Sequence, residues 1–310
     1  MSQPKPDAEW LATRFEDHRA HLRAVAYRML GSIPEAEDTV QDAWLRVARD
    51  GATDVENLGG WLTTIVARLA LDRLRSRASR REDPAGVHLP DFVVTSADVG
   101  PEADPAGEAE LADSVGLAML VVLEQLSPPE RLAFVLHDTF GLPFDEIAPI
   151  VGRSALAARQ LASRARRRVR GAGDVATPSR VSAARQRELI EAFLAAAREG
   201  DMRGLLRVLA PDAIVRAGAG DGTSPFGPSR VIEGAEAVAR QAMAFRGLAP
   251  GAHRAIVNGA PGFVVIVNGQ PFAVLAFAFR DDAIAELSIL VDPERLSRLD
   301  LSTVAGLASR

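Results

Sequence analysis

Basic charge in this chain comes in two dense bursts, and the stretch between them has none. Residues 68–81 carry Arg68, Arg73, Arg75, Arg77, Arg80 and Arg81 against one acid, Asp72. Residues 150–170 carry Arg153, Arg159, Arg164, Arg166, Arg167, Arg168 and Arg170 against none. Between them, residues 82–130 hold eleven acids and neither Lys nor Arg. Such a division predicts two separate helical modules on an acidic connector. Dense helical arginine is an electrostatic footprint for phosphate, although a charge run alone is ordinarily a solvated helix face. The second burst closes a helix–turn–helix pattern, which favours DNA. Net charge is −5, so the molecule is no general polyanion binder and any nucleic-acid contact must be local.

A length of 310 residues at 47% hydrophobic content supports two or three domains with real cores. The absence of cysteine excludes disulfides, a thiol nucleophile and thiolate metal sites. The polar start, Met1–Trp10, has no apolar core of a signal peptide. The longest apolar runs, Phe263–Val267 and Phe272–Phe279, are strand-sized rather than membrane-spanning. The expectation is a cytoplasmic protein with no membrane partner.

The first block, from Trp10 to about Arg81, reads all-helical. Leu22, Val25, Ala26, Met29 and Leu30 fall at helical spacing, and Gly31 breaks the run. Ser32 through Glu35 reads as a capping box. The next helix puts Ala36, Val40, Ala43, Trp44 and Val47 on one stripe and Asp38, Gln41 and Asp42 opposite. After a loop at Asp50–Gly60, a longer helix turns Trp61, Leu62, Ile65, Val66, Leu69 and Leu74 inward and its arginines outward.

Residues 83–107 have linker composition, yet His88-Leu89-Pro90-Asp91-Phe92-Val93-Val94 is too apolar for a plain tether. The second block begins with a helix over Leu111–Leu126. Ser127, Pro128 and Glu130 then repeat the cap logic. A short helix, Pro143–Val151, leads through Gly152 to a helix capped by Ser154. That last helix buries Ala158, Leu161, Ala162, Ala165 and Val169 and projects Arg159, Gln160, Ser163, Arg164, Arg166 and Arg167. This is helix–turn–helix geometry. Arg168 and Arg170 are expected to be solvated.

After a Gly/Pro/Ser hinge at Gly171–Arg180, the third block reads α+β. Helices are expected around Leu189–Ala197 and Leu205–Leu209. Strands are expected at Ala213–Ala217, His253–Val257, Phe263–Val267, Phe272–Phe279 and Ile284–Val291. Asn268-Gly269 is a hairpin signal and Asp281-Asp282 another reversal.

At this point a family resemblance is carried by three motifs. They are Glu37-Asp38-Thr39-Val40-Gln41-Asp42-Ala43-Trp44-Leu45-Arg46, Trp61-Leu62-Thr63-Thr64-Ile65-Val66-Ala67-Arg68, and the stretch from Leu126-Ser127-Pro128-Pro129-Glu130-Arg131 to Arg159–Arg168. Over residues 10–170 the chain resembles sigma factors of the extracytoplasmic-function group in the sigma-70 family. Its third block resembles SnoaL-like, NTF2-like cones. The implied architecture is multidomain. Sigma region 2 would span 8–82, an acidic linker 83–107, a helix–turn–helix region 4 108–172, and an NTF2-like regulatory domain 181–300.

The resemblance implies promoter-directed initiation by bacterial RNA polymerase. Asp38, Gln41 and Asp42 would dock on the β′ clamp helices, and region 4 would meet the β flap. Asp38 and Asp42 lie one turn apart and can both meet basic groups on a partner helix. Asn57 and Trp61 would read the minus-ten element in melted DNA, where a flipped base needs a pocket and polar edges. Arg68, Arg73, Arg75 and Arg77 would hold phosphates there. Trp61 at a helix start also reads as core, and Arg68 is spaced to pair with Asp72. In duplex DNA at the minus-thirty-five element, Arg159 and Gln160 suit guanine and adenine edges. Arg153, Ser154, Ser163, Arg164, Arg166 and Arg167 would set position.

Three short signatures of the subgroup are matched in part. His88-Leu89-Pro90-Asp91 has His for Trp. Gly220-Asp221-Gly222-Thr223 stands for an Asp-Gly-Gly-Gly motif, and Asp292-Pro293-Glu294-Arg295-Leu296 for Asn-Pro-Asp-Lys-Leu. The resemblance implies that the extension folds back on the linker through Leu89, Pro90, Asp91, Asp221, Gly222, Asp292, Pro293, Arg295 and Leu296. It would tune activity in cis, with no obligatory anti-sigma protein. Turn chemistry alone accounts equally for Asp-Gly and Asp-Pro.

Two other readings stand beside this one. A stand-alone helix–turn–helix regulator with a ligand-sensing domain would need no polymerase-docking helix upstream. An NTF2-like isomerase or cyclase would need an Asp–His dyad. His253 is the single histidine of the third block, and neither paired carboxylates nor a metal cluster is visible. No enzyme activity, cofactor or metal is therefore expected, while an apolar ligand pocket remains open.

Overall fold

A computed structural model of the chain describes residues 8–52, 55, 57–80, 89–97, 117–171, 181–218, 229–302 and 304. These fall into two compact units, one from residues 1–83 and 122–171, the other from 84–121 and 172–310.

The first unit is helical. Helix α1 (Ala8–Leu30) stops where Gly31 takes φ 73°, a left-handed value that costs glycine nothing. Helix α2 (Ile33–Asp50) buries Ala36, Thr39, Val40, Ala43 and Val47, close to the predicted stripe. Trp44 is half-buried with its ring 5.2 Å from that of Phe15. The expected capping box at Ser32 does not form: Ser32 is the N-cap residue, but its hydroxyl makes no capping bond. Glu35 turns instead to Arg77 of α3 (Leu58–Arg80), because an ion pair to a neighbouring helix competes with reaching back along its own.

Helix α4 (Leu117–Glu124) comes before α5 (Pro128–Phe134), and residues 111–116 of the expected first helix lie outside the described residues. Helix α5 widens into a π-turn, Val135–Thr139. Helix α6 (Phe144–Val151) contains Pro149 and ends at Gly152, φ 69°, and α7 (Ala155–Gly171) follows. Helix α7 buries Ala158, Leu161, Ala162, Ala165 and Val169, as its periodicity required. The two helical modules share one unit rather than standing apart. The buried Arg131 side chain donates from Nε to the carbonyl of Arg28 at 3.1 Å, and the His21 ring lies 5.0 Å from that of Phe140, edge-on. Burial, first, lowers the Arg131 guanidinium to about 10.

The second unit is α+β. Helix α8 (Ala183–Glu199) is capped by Ser182, whose Oγ accepts from Arg185 N at 3.3 Å. Helix α9 (Met202–Val208) runs into β2 (Leu209–Gly218); β3 (Arg230–Glu233) and α10 (Ala235–Ala244) follow. A 3-10 turn, Arg246–Gly251, leads to β4 (Ala252–Val257), β5 (Ala260–Val267), β6 (Gln270–Arg280) and β7 (Ala283–Leu290), and α11 (Pro293–Ser297) closes the order.

Asn268-Gly269 and Asp281-Asp282 make the expected reversals with positive φ at both residues, and Asn258-Gly259 makes a third. All expected strands form. Strand β3, α10 and the 3-10 turn are additions that the sequence reading lacked, as is β1 (Val94–Ser96) from the linker. The seven strands run β1-β4-β5-β6-β7-β2-β3, antiparallel except for the β2–β7 pair. A core of Phe193, Leu205, Phe263, Phe277 and Ile284 joins α8 and α9 to one sheet face.

Candidate functional site

On α2, Asp38, Gln41 and Asp42 are all exposed, as its amphipathic pattern predicts. Asp42 is already engaged, because Arg73 Nη2 of α3 donates to its Oδ2 at 2.6 Å. Leu45, one turn beyond Gln41, is 59% exposed. It is an exposed apolar residue on this face that the reading passed over, although a Leu amid acids was a visible signal.

At the start of α3, Asn57 occupies the N-cap. Its Oδ1 accepts from Gly60 N at 3.0 Å, and its carbonyl accepts from Trp61 N. Trp61 is half-buried, between the base-wall and core readings. The arginines of α3 are not equivalent. Arg68 is exposed and does not pair with Asp72, which sits 3.8 Å from Arg75 instead. Arg73 and Arg77 are turned back onto Asp42 and Glu35. Of the four expected phosphate holders, two therefore also tie α3 to α2, a pairing that only helix packing creates. Arg81 lies outside the described residues.

In the helix–turn–helix, Ser154 Oγ accepts from Ala157 N at 3.2 Å, the expected cap. Arg153, Arg159, Gln160, Ser163 and Arg167 are exposed on or beside the outer face of α7. Arg159 lies with its guanidinium carbon 5.5 Å from the Phe144 ring centroid, a cation–π distance that holds the side chain over α6.

The later arginines depart from expectation. Arg168 is exposed as expected, yet it is not unpartnered: its Nη1 donates to Glu130 Oε2 at 2.5 Å, while Arg164 Nε donates to Glu130 Oε1 at 3.1 Å. Arg166 Nε donates to Asp138 Oδ1 at 2.6 Å. Glu130, expected to close a cap at Ser127, does so, accepting from both the Ser127 amide and hydroxyl. It also anchors α7. Burial works to raise its carboxyl, but the bonds from Ser127 and Arg164 outweigh it and hold the group below its usual range.

In the second unit the linker and the C-terminal signature meet. Leu89, Pro90, Phe92 and Val93 are buried, and β1 adds to the sheet edge, Val94 opposite Val257 and Ser96 opposite Ala255. The linker expected as a separate element is thus, over residues 89–97, part of the C-terminal unit. Its apolar residues leave water only by joining that sheet.

Arg295 Nη2 donates to Pro90 O at 2.8 Å and to Asp91 Oδ1 at 2.9 Å. Arg295 is set in place by its helix start. Asp292 Oδ1 accepts from Glu294 N and Arg295 N, Pro293 occupies the first turn, and Leu296 is buried. A side chain at Gly218 would meet Leu89 Cδ1 at 3.1 Å, so glycine there admits the linker. Asn258 completes the latch: its Oδ1 accepts from Val93 N at 3.2 Å and its own N donates to Val93 O at 2.8 Å. His88, Gly220, Asp221, Gly222 and Thr223 lie outside the described residues.

Residues 14–80 match the family Sigma-70 region 2, and residues 117–169 match Sigma-70, region 4. The chain is similar to the ECF RNA polymerase sigma factor SigJ of Mycobacterium tuberculosis, 37% identical over 92% of this chain and 93% of that one. It is similarly 37% identical to the probable ECF RNA polymerase sigma factor SigI of the same organism, over 96% and 98% of the two chains. The crystal structure of M. tuberculosis SigJ superposes with a TM-score of 0.75 at 34% identity, covering 94% of this chain and 99% of that one.

Proposed function

The chain belongs to the extracytoplasmic-function RNA polymerase sigma factors, and from that premise we propose how its surfaces share the work of promoter-specific initiation. The exposed face of α2, with Asp38, Gln41 and Asp42 around Leu45, docks on the β′ clamp helices of core polymerase, and the region 4 module meets the β flap. Acids flanking one exposed leucine suit a basic partner helix with an apolar seam. Asn57 and Trp61 face the melted minus-ten element. Because Asn57 Oδ1 is committed to Gly60 N, the amide nitrogen is its donor for a base edge. Arg68 and Arg75 hold phosphate, and Arg73 and Arg77 reach DNA only by exchanging their carboxylate partners.

In the minus-thirty-five major groove, Arg159 and Gln160 read bases. Arg153, Ser154, Ser163 and Arg167 set position. Arg164 and Arg166 contribute charge while bracing α7 against Glu130 and Asp138.

The C-terminal unit tunes this activity in cis by holding the linker, so no separate anti-sigma protein is needed. The observation that carries the regulatory reading is the incorporation of linker residues 94–96 as an edge strand beside β4, latched by Arg295. No catalysis and no membrane contact are part of the proposal. Among the described residues, no helix is long and apolar enough to cross a membrane.

The test is transcription in vitro with core polymerase on a promoter library, comparing the full chain, Arg295→Ala and a truncation after Arg170. Core-dependent, sequence-selective initiation is expected, with both variants shifting output in the same direction. If none of the three directs core to promoters, the assignment of the surfaces fails. If truncation changes output while Arg295→Ala leaves it unchanged, the latch does not transmit regulation.

A further inference from the structure

The C-terminal unit holds a partly open cavity of about 110 Å³ between one sheet face and helices α8 and α10. Its wall includes Phe193, Phe263, Leu275 and Leu287, and every lining side chain but two is apolar. The exceptions are Arg230 and Gln241. Arg230 opens β3, where alternation puts its side chain on the same face as Ile232, which packs against the core. Gln241 sits on the inner side of α10, one residue before Ala242, which also lines the space.

Elsewhere in this unit the part-buried arginines sit on carboxylates, Arg280 on Asp212 among them. Arg216 pairs with Glu286, and Arg295 with Asp91. Arg230 has no such acid: no carboxylate of the described residues forms an ion pair with it.

We propose that this cavity is a binding site for a small hydrophobic carboxylic acid, its apolar body enclosed by the cone and its carboxylate on Arg230 and Gln241. Size sets the first limit. A dry apolar cavity of about 150 Å³ accepts benzene, so this space takes a single ring or a short branched chain and no long acyl tail. Charge sets the second. A guanidinium at the rim of an apolar wall offers two parallel N–H donors that match a carboxylate, and low local polarity strengthens that bond. A neutral ligand would forgo it. A cationic one would place like charges together. The site is independent of the polymerase and DNA surfaces, so its test stands apart from theirs.

The experiment is calorimetric titration of the full-length protein with three probes of matched shape: benzoate, toluene and benzylamine. Benzoate is expected to bind saturably and at least about tenfold more tightly than either of the others, the scale of a charged hydrogen bond. Arg230→Met, which keeps an apolar stem, is expected to erase that preference and leave benzoate about as weak as toluene. Ala242→Phe, which fills the cavity from α10, is expected to abolish binding of benzoate and toluene alike. The proposal is overturned if benzoate shows no saturable binding, if toluene or benzylamine matches it, or if Arg230→Met leaves the preference intact. Should Arg230→Met fail to fold, Ala242→Phe decides, and undiminished benzoate binding in that variant overturns the site.

Discussion

Asn258 offers the sharpest test of the linker latch, because two substitutions separate what its backbone and side chain contribute. The residue is 2% exposed, takes φ 48°, and its Oδ1 satisfies the amide of Val93. Asn258→Gly keeps the left-handed turn and removes the buried side chain with its acceptor. Val93 is itself buried, so water cannot replace the bond easily, and the stranded amide costs about 1–3 kcal/mol. Extra freedom of glycine in the unfolded chain adds roughly 0.5–1 kcal/mol. Asn258→Ala removes the same acceptor and leaves in the left-handed region a residue without the local polar bonding that lets Asn tolerate it, a further cost below the roughly 1–2 kcal/mol that this region costs an ordinary L-residue.

Native-state hydrogen exchange resolves these contributions. With Asn258→Gly, the Val93 amide is expected to exchange roughly five- to 150-fold faster, the rate equivalent of about 1–3 kcal/mol. Amides of α1 to α3 should keep their rates. Asn258→Ala should add a loss of protection at both ends of the β4–β5 turn. A Val93 rate within twofold of the parent in Asn258→Gly would refute the argument, since the linker would then not depend on that acceptor.

Three further outcomes follow from the same geometry. Arg159→Ala is expected to relax minus-thirty-five base preference by about 1–3 kcal/mol at one position, read by binding selection on randomised promoters; unchanged preference would remove Arg159 from the base-reading role. Glu130→Gln loosens α7. Because the Glu130 carboxyl is lowered from its ordinary 4.5, it contributes stability above that value, lost as pH falls through the lowered folded value. The gap between parent and variant in denaturation should therefore narrow toward acid pH. Glu286 behaves in the opposite sense. Burial, first, raises its carboxyl despite Arg216 and Ser288, so its ionisation costs stability once pH passes the unfolded value. Glu286→Gln should remove that loss, and equal pH profiles for parent and variant would contradict it.

Much of the helical half was legible because its determinants are local. Caps at Ser127 and Ser154, the glycines at 31 and 152, and apolar spacing along α2 and α7 act within a few residues of themselves. The hairpin turns at Asn268-Gly269 and Asp281-Asp282 were readable for the same reason, and Asn258-Gly259 carried the same signal unused. Strands β1 and β3 were not legible. At three and four residues they are too short for periodicity to speak, and each exists only through its neighbour, β1 through β4 and β3 through β2. Helix α10 presents Ala235, Val238, Ala239 and Ala242 inward, mostly small side chains that barely mark a face.

The sequence by itself determined the element types of the long segments, the exposed acid face of α2 and the exposed start of α7. Each follows from short-range periodicity and capping. Tertiary structure alone decided which charges are spent. Arg73 and Arg77 meet Asp42 and Glu35, Arg164 and Arg168 meet Glu130, and Arg295 meets the linker. Ion-pair choice depends on distances between elements far apart in the chain, and a pattern of residue types carries no such distances. The linker's fate was decided in the same way: Leu89, Phe92 and Val93 announced that they would be buried, and the sheet supplied the place.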